Sequence, residues 1–149
     1  MDHSQQHASP ATQKRVRDSF DRQGLLALLG ARLTHIGPGR VHIVLPTRPE
    51  VTQQHGYIHT GATSAIADSA GCYAALTLLA ENVEALTVEY KINLLAPAAG
   101  THLEAIGSVI KSGRTLTVCE LEVQGVTADG ARQFVAHGQQ TLIHARAKQ

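Results

Sequence analysis

Aromatic residues are scarce in this chain: they make up 3% of it, and tryptophan is absent. Proteins that hold single-stranded nucleic acid stack bases on aromatic rings, so that class has no platform here. A surplus of one charge is missing too, since 13 Lys and Arg face 12 Asp and Glu for a formal net charge of +1. So balanced a chain does not recruit nucleic acid or an anionic membrane. There are 2 cysteines, Cys72 and Cys119, far apart and in no C-x-x-C pair. That excludes a disulfide scaffold and a thiolate metal site, and predicts two buried, reduced thiols in a cytoplasmic protein. No apolar run reaches the length of a membrane span. Met1 to Arg17 is polar and has no apolar core, so it is not a secretory signal. What is present is 149 residues, 43% of them hydrophobic. This predicts one domain, 1–149, with a proper core.

Taken in order, Met1 to Pro10 reads as a polar, flexible tail carrying His3 and His7. Ala11 to Leu29 is helical, with Val16 and Phe20 one turn apart, a break at Gly24 and a stop at Gly30. Ala31 to Ile36 and Arg40 to Leu45 alternate apolar and polar residues around Gly37-Pro38-Gly39, a hairpin pattern. Four strands are predicted in the second half: Leu86 to Leu95, Thr101 to Lys111, Thr115 to Val126 and Arg132 to Ala145. The last follows an Asp129-Gly130 turn. The fold class is α+β, an antiparallel sheet wrapped on one long helix.

That helix is the centre of the chain. A polar loop from Gln53 runs into an alanine-rich segment, which predicts a helix over Thr60 to Ala80. Apolar residues cover almost every face of it, as in a buried helix. One acid interrupts it, Asp68, and a carboxylate in a dry helix is costly unless it is paired or used. The first-turn N–H groups at Thr60 and Gly61 are unpaired donors at the positive end of the dipole. Such donors can hold a carbonyl oxygen as it becomes an oxyanion. Asp68 follows Thr60 by eight residues, on roughly the same side, so donor and carboxylate are expected to share one cleft suited to acyl hydrolysis.

Gln53, Gly56, His59-Thr60-Gly61 and Asp68 resemble the signature of hotdog-fold acyl-CoA thioesterases of the phenylacetate-pathway (PaaI-like) family. The family pattern has Asn where Gln53 stands and Gly where Thr60 stands. The segment Thr87 to Pro97 also resembles the family's strand after the helix. The resemblance implies a hotdog fold and hydrolysis of an aryl- or medium-chain acyl-CoA to free acid and CoA, with no metal and no cofactor. It implies a homodimer paired sheet edge to sheet edge, with active sites at the interface, and pairing of dimers into a homotetramer. Asp68 would serve as general base or as nucleophile. Thr60 N–H would polarise the carbonyl, Gln53 would help to position, and Thr87 would assist from the partner chain. His59 and Gly61 would contact substrate, and Arg114 would meet the CoA phosphates.

Other readings stay open on residues alone. His55 and His59 are four apart, but Gly56 stands where a zinc hydrolase needs Glu. No G-x-S-x-G surrounds Ser64 or Ser69, which weakens a serine triad. A hydratase or dehydratase of acyl-CoA would draw on His59 with Asp68. A non-catalytic acyl-CoA-binding module would use the same fold.

Overall fold

Residues 5–148 are described by the computed structural model of the chain. The first helix, α1 (Pro10–Phe20), opens on Ser9, whose Oγ accepts from Thr12 N–H at 3.2 Å, with Pro10 at the first helical position. A hydroxyl cap followed by proline is a preorganised helix start. Val16 and Phe20 are the residues that α1 buries. The short α2 (Gly24–Leu29) follows, and then the hairpin β1 (Arg32–Gly37) and β2 (Arg40–Pro46). After a 3-10 turn at Pro49–Val51 comes the long helix α3 (Thr60–Leu76). The chain ends in β3 (Val83–Leu94), β4 (His102–Ser112), β5 (Leu116–Val126) and β6 (Arg132–Arg146).

All six strands form one antiparallel sheet in the order β1-β2-β4-β5-β6-β3. Alternation along each strand turns one face toward α3, and that face carries Val41, Ile43, Leu103, Leu121, Val123 and Leu142, all buried. The helix lies almost on the backbone of β4. A Cβ added at Gly107 would stand 2.3 Å from the carbonyl carbon of Ala70. Alanine-rich α3 and Gly107 therefore fit each other, and the helix can be surrounded by sheet because nearly all its faces are small and apolar.

Three expectations are corrected. The helix stops at Leu76, short of Ala80. Thr77 Oγ1 donates to Ala74 O at 2.7 Å and accepts Gly39 N–H at 2.8 Å. Beyond it, the Leu79 and Ala80 carbonyls accept from the Arg15 guanidinium at 3.1 and 3.0 Å, so tertiary partners replace a continued helix. β3 begins at Val83, ahead of Leu86, because its pairing with β6 extends to Val83↔Arg146. The N-terminal segment is docked from His7 onward: Ala8 is buried, its N–H donates to Ile36 O at 2.9 Å, and the His7 ring lies 5.1 Å from that of His35. His3 lies outside the described residues.

The two sheet edges differ. Ala8 lies along β1, while β3 has no further strand beside it among the described residues and exposes Leu86, Val88, Tyr90 and Leu94. A long apolar edge strand left open is a template for pairing with another strand.

Candidate active site

The head of α3 is shaped by the loop before it. Gln53 N–H donates to Tyr57 O at 2.8 Å and Gly56 N–H to Gln53 O at 2.9 Å, with Gly56 at φ 84°. Positive φ is the conformation that glycine adopts without penalty, and it folds the loop back on itself. The Gln53 side-chain oxygen accepts from His55 N–H. This fixes the carboxamide and leaves its NH2 without a protein acceptor among the described residues.

His59 is the N-cap of α3, and its Nδ1 accepts from Gly61 N–H at 2.7 Å. Ala62 and Thr63 N–H both donate to His59 O. The expectation of several open donors is thus corrected. Of the first-turn N–H groups, Thr60's alone has no acceptor among the described residues. Thr60 and Gln53 line one cleft of about 440 Å³, with Tyr57, Thr63, Leu94 and Leu95 on its walls. His59 and Gly61 are not part of it. They line a separate hollow of about 300 Å³ with Leu29 and Val51, so the structure does not bring them to Thr60's cleft. With Nδ1 spent on the cap, His59 braces the helix start, and His55 is exposed.

Asp68 is not in the cleft either. Eight residues of helix rise about 12 Å and turn about 80° past two full turns. One thioester carbonyl cannot touch Thr60 N–H and Asp68 of the same chain across that span. The shared single-chain cleft read from the spacing is therefore corrected.

Asp68 has its own surroundings, half-buried beside β3 and β6. Thr87 Oγ1, on β3, donates to Asp68 Oδ1 at 2.7 Å. Gln140, fully buried on β6, donates through Nε2 to the same Oδ1 at 2.6 Å and reaches Asp68 O at 3.1 Å and Thr87 Oγ1 at 3.0 Å. Donors to a carboxylate are the stronger kind of hydrogen bond, and a connected chain of them reinforces itself. Oδ2 has no protein partner among the described residues and is not a buried orphan, so it is open to solvent. Thr87 therefore serves Asp68 of its own chain, which corrects its expected role in the partner's carboxylate. Gln140 was not foreseen; its one sequence signal is a polar residue at an inward position of a strand.

Other groups stand aside. Cys72, one turn after Asp68, is pushed up to about 12, by burial first and then by the Asp68 charge, and its Sγ donates to Ala85 O. A thiol so protonated is not a nucleophile. Arg114 lies in the β4–β5 turn, where its carbonyl faces His144 Nδ1 at 3.2 Å. His144 pairs with Ala85, which puts that turn at the Thr87 end of β3. Among the described residues, Glu120, Glu122 and His137 hold ligand-type atoms within 4.8 Å of one another. They alternate with buried Cys119 and Leu121, hence occupy the sheet face turned away from Asp68. Among those residues no helix is long and apolar enough to cross a membrane.

Comparison with known proteins follows this geometry. A sequence model of the Thioesterase superfamily matches residues 55–127, which take in the loop from His55 and all of α3. A thioesterase family protein of Silicibacter pomeroyi is 41% identical, with TM-score 0.88 over 91% of this chain and 99% of that one. A candidate esterase of Halobacterium salinarum is 30% identical over 130 residues, covering 83% of this chain and 85% of that one. The Escherichia coli PaaI protein from the phenylacetic acid degradation operon shares the fold, with TM-score 0.78 and 20% identity over 92% of this chain and 94% of that one.

Proposed function

The chain belongs to the thioesterase superfamily and is a thioester hydrolase of hotdog fold, and we propose that it cleaves an aryl- or medium-chain acyl-CoA in sites shared by two copies. The observation that carries this is the open Thr60 N–H beside the free Gln53 amide, in a cleft with apolar walls. Both donors suit the carbonyl oxygen of a thioester, and they hold it most tightly once it carries negative charge. Leu94 and Leu95 offer the acyl chain an apolar wall.

A carboxylate is the missing half. Two bare β3 edges paired antiparallel about a two-fold axis near Tyr90 and Lys91 would set Thr87 opposite Leu94 of the partner subunit. Asp68, bonded to Thr87, then approaches the cleft that Gln53 and Thr60 of the partner subunit line. The exposed apolar residues of β3 support this pairing, since burial of such an edge is what a symmetric dimer supplies. Arg114, in the turn at the same end of β3, is the candidate to meet CoA phosphates near that mouth.

Chemistry follows along one of two routes. Asp68 Oδ2 takes a proton from water as the water oxygen bonds to the carbonyl carbon; the tetrahedral intermediate then expels CoA thiolate, which is protonated. Alternatively Oδ2 bonds to the carbon itself and expels the thiolate, and water hydrolyses the resulting anhydride. In both, Thr60 N–H and Gln53 stabilise the oxyanion.

The test is thiol release from a panel of aromatic and aliphatic acyl-CoAs. Hydrolysis of at least one is expected. Failure of all would refute the substrate class, and consumption of an enoyl-CoA without thiol release would point to a hydratase.

A further inference from the structure

Among the described residues Gln140 is the one fully buried glutamine, and its amide can be oriented in a single way. Nε2 meets three acceptors, Asp68 Oδ1, Asp68 O and Thr87 Oγ1. Turned over, the amide would aim its oxygen at a carboxylate and a carbonyl, acceptor against acceptor. In the observed orientation Oε1 is stranded: it is buried and has no donor among the described residues. Gly71 leaves just enough room for it, since a Cβ there would come 2.0 Å from Oε1. A buried acceptor without a donor destabilises a fold, and an apolar side chain of similar size would avoid that cost. That cost is offset only by the hydrogen bonds from Nε2 to Asp68 and Thr87. What the side chain does is hold Asp68.

We infer that Gln140 is a positioning residue, which with Thr87 clamps Oδ1 of Asp68 and turns Oδ2 toward the thioester carbon. Two donors converge on one carboxylate oxygen, one of them itself fixed by the other, so the carboxylate plane is set by β3 and β6 rather than by the flexible bonds of Asp68. The lone pairs of the free oxygen then point one way. The inference rests on Asp68 being the reacting carboxylate.

Gln140→Leu and Gln140→Met both delete the donor and keep the volume, Met packing where Leu does not. Loss of orientation without loss of binding should lower kcat by about tenfold to a hundredfold while KM stays within about twofold. The thermal midpoint should fall modestly with the lost hydrogen bonds to Asp68, and both variants should stay folded. In an Asp68→Asn background the same changes should cost nothing further. A wild-type kcat in either folded variant would overturn the inference. So would an undiminished loss in the Asp68→Asn background, which would show that Gln140 acts elsewhere. A second measurement does not depend on turnover. With 13C-labelled aspartate carboxylates, the Asp68 signal should move or broaden in both variants while the other carboxylates stay put. An unchanged Asp68 signal would overturn the clamp. If wild-type protein releases thiol from no acyl-CoA, the acyl-CoA reading falls and the carboxylate signal alone decides the clamp.

Discussion

Thr60→Pro removes the one open backbone donor of the helix start and exchanges the threonine side chain in the cleft wall for a proline ring. Thr60 is the first residue of α3, where proline is well tolerated because the N–H there has no helical acceptor. The residue before a proline must be extended, and His59 already is, at φ −62° and ψ 139°. The helix should therefore stand, and the missing N–H should cost about 10²- to 10³-fold in kcat, the usual loss for one oxyanion donor. Asp68→Asn lies in the other half of the site. If each site draws Thr60 from one chain and Asp68 from its partner, mixing the two variants restores activity. In a mixed dimer one site carries both lesions and the other carries neither. With random exchange half of the dimers are mixed, so about a quarter of all sites are intact. Thiol release would rise from a background near zero to about a quarter of the wild-type rate. The control is Asp68→Asn mixed with Thr87→Val. Thr87 holds Asp68 of its own chain, so every site keeps a lesion and nothing is regained. No recovery with Thr60→Pro, once mass spectrometry shows exchanged subunits, refutes the shared site. Recovery in the control refutes the placement of Thr87.

Asp68→Asn alone should leave the circular dichroism spectrum unchanged and lower thiol release by about 10²- to 10⁴-fold, because an amide neither takes the proton nor attacks. Gly107→Ala should destabilise by about 1–3 kcal/mol in urea unfolding, since its methyl group meets the backbone of α3 rather than a side chain that can turn away. Acid should weaken the outer sheet face in two windows. His35 is held below the ordinary histidine range by burial first, then by His42, His7 and Arg40, so its contribution is lost as pH falls below 6.5. Glu104 is held down from 4.5 to about 2, first by its hydrogen bond to His42 and then by Arg132, against burial. Its depressed value means stability that is present above 4.5 and lost as pH falls toward about 2. Allowing for solvent screening this is on the order of 1–2 kcal/mol, and Glu104→Gln should remove that part of the pH dependence of the thermal midpoint.

Most of the fold was legible because its signals are local. Alternation marked the strands, Gly37-Pro38-Gly39 and Asp129-Gly130 marked turns, and an alanine-rich run with apolar residues on all sides marked the buried helix. The misses fall where the deciding partner is distant in sequence. The Arg15 guanidinium ends the helical run by taking the Leu79 and Ala80 carbonyls, and no pattern around Ala80 announces it. Ala8 docks on Ile36 through one backbone bond, which composition does not record.

The same division runs through the site. Gln53 and Thr60 lie within one loop and one helix turn, so the resemblance over that stretch carried both. Spacing of eight along α3 pointed to one cleft for Thr60 and Asp68, and the helix rise sets them apart. Residues on one side of a helix can still stand two turns apart, and a carbonyl group is far smaller than that. The carboxylate half could not be read in this way. Thr87 and Gln140 reach Asp68 across 19 and 72 residues, through strands that become neighbours only when the sheet forms. Gln140 is also the residue whose cost to the fold is plainest, with an oxygen buried and unbonded. A sheet edge that leaves its apolar residues bare and a carboxylate with one oxygen clamped and one free then have a common explanation. On the proposed shared site, each is half of a contact that a second copy of the chain would complete.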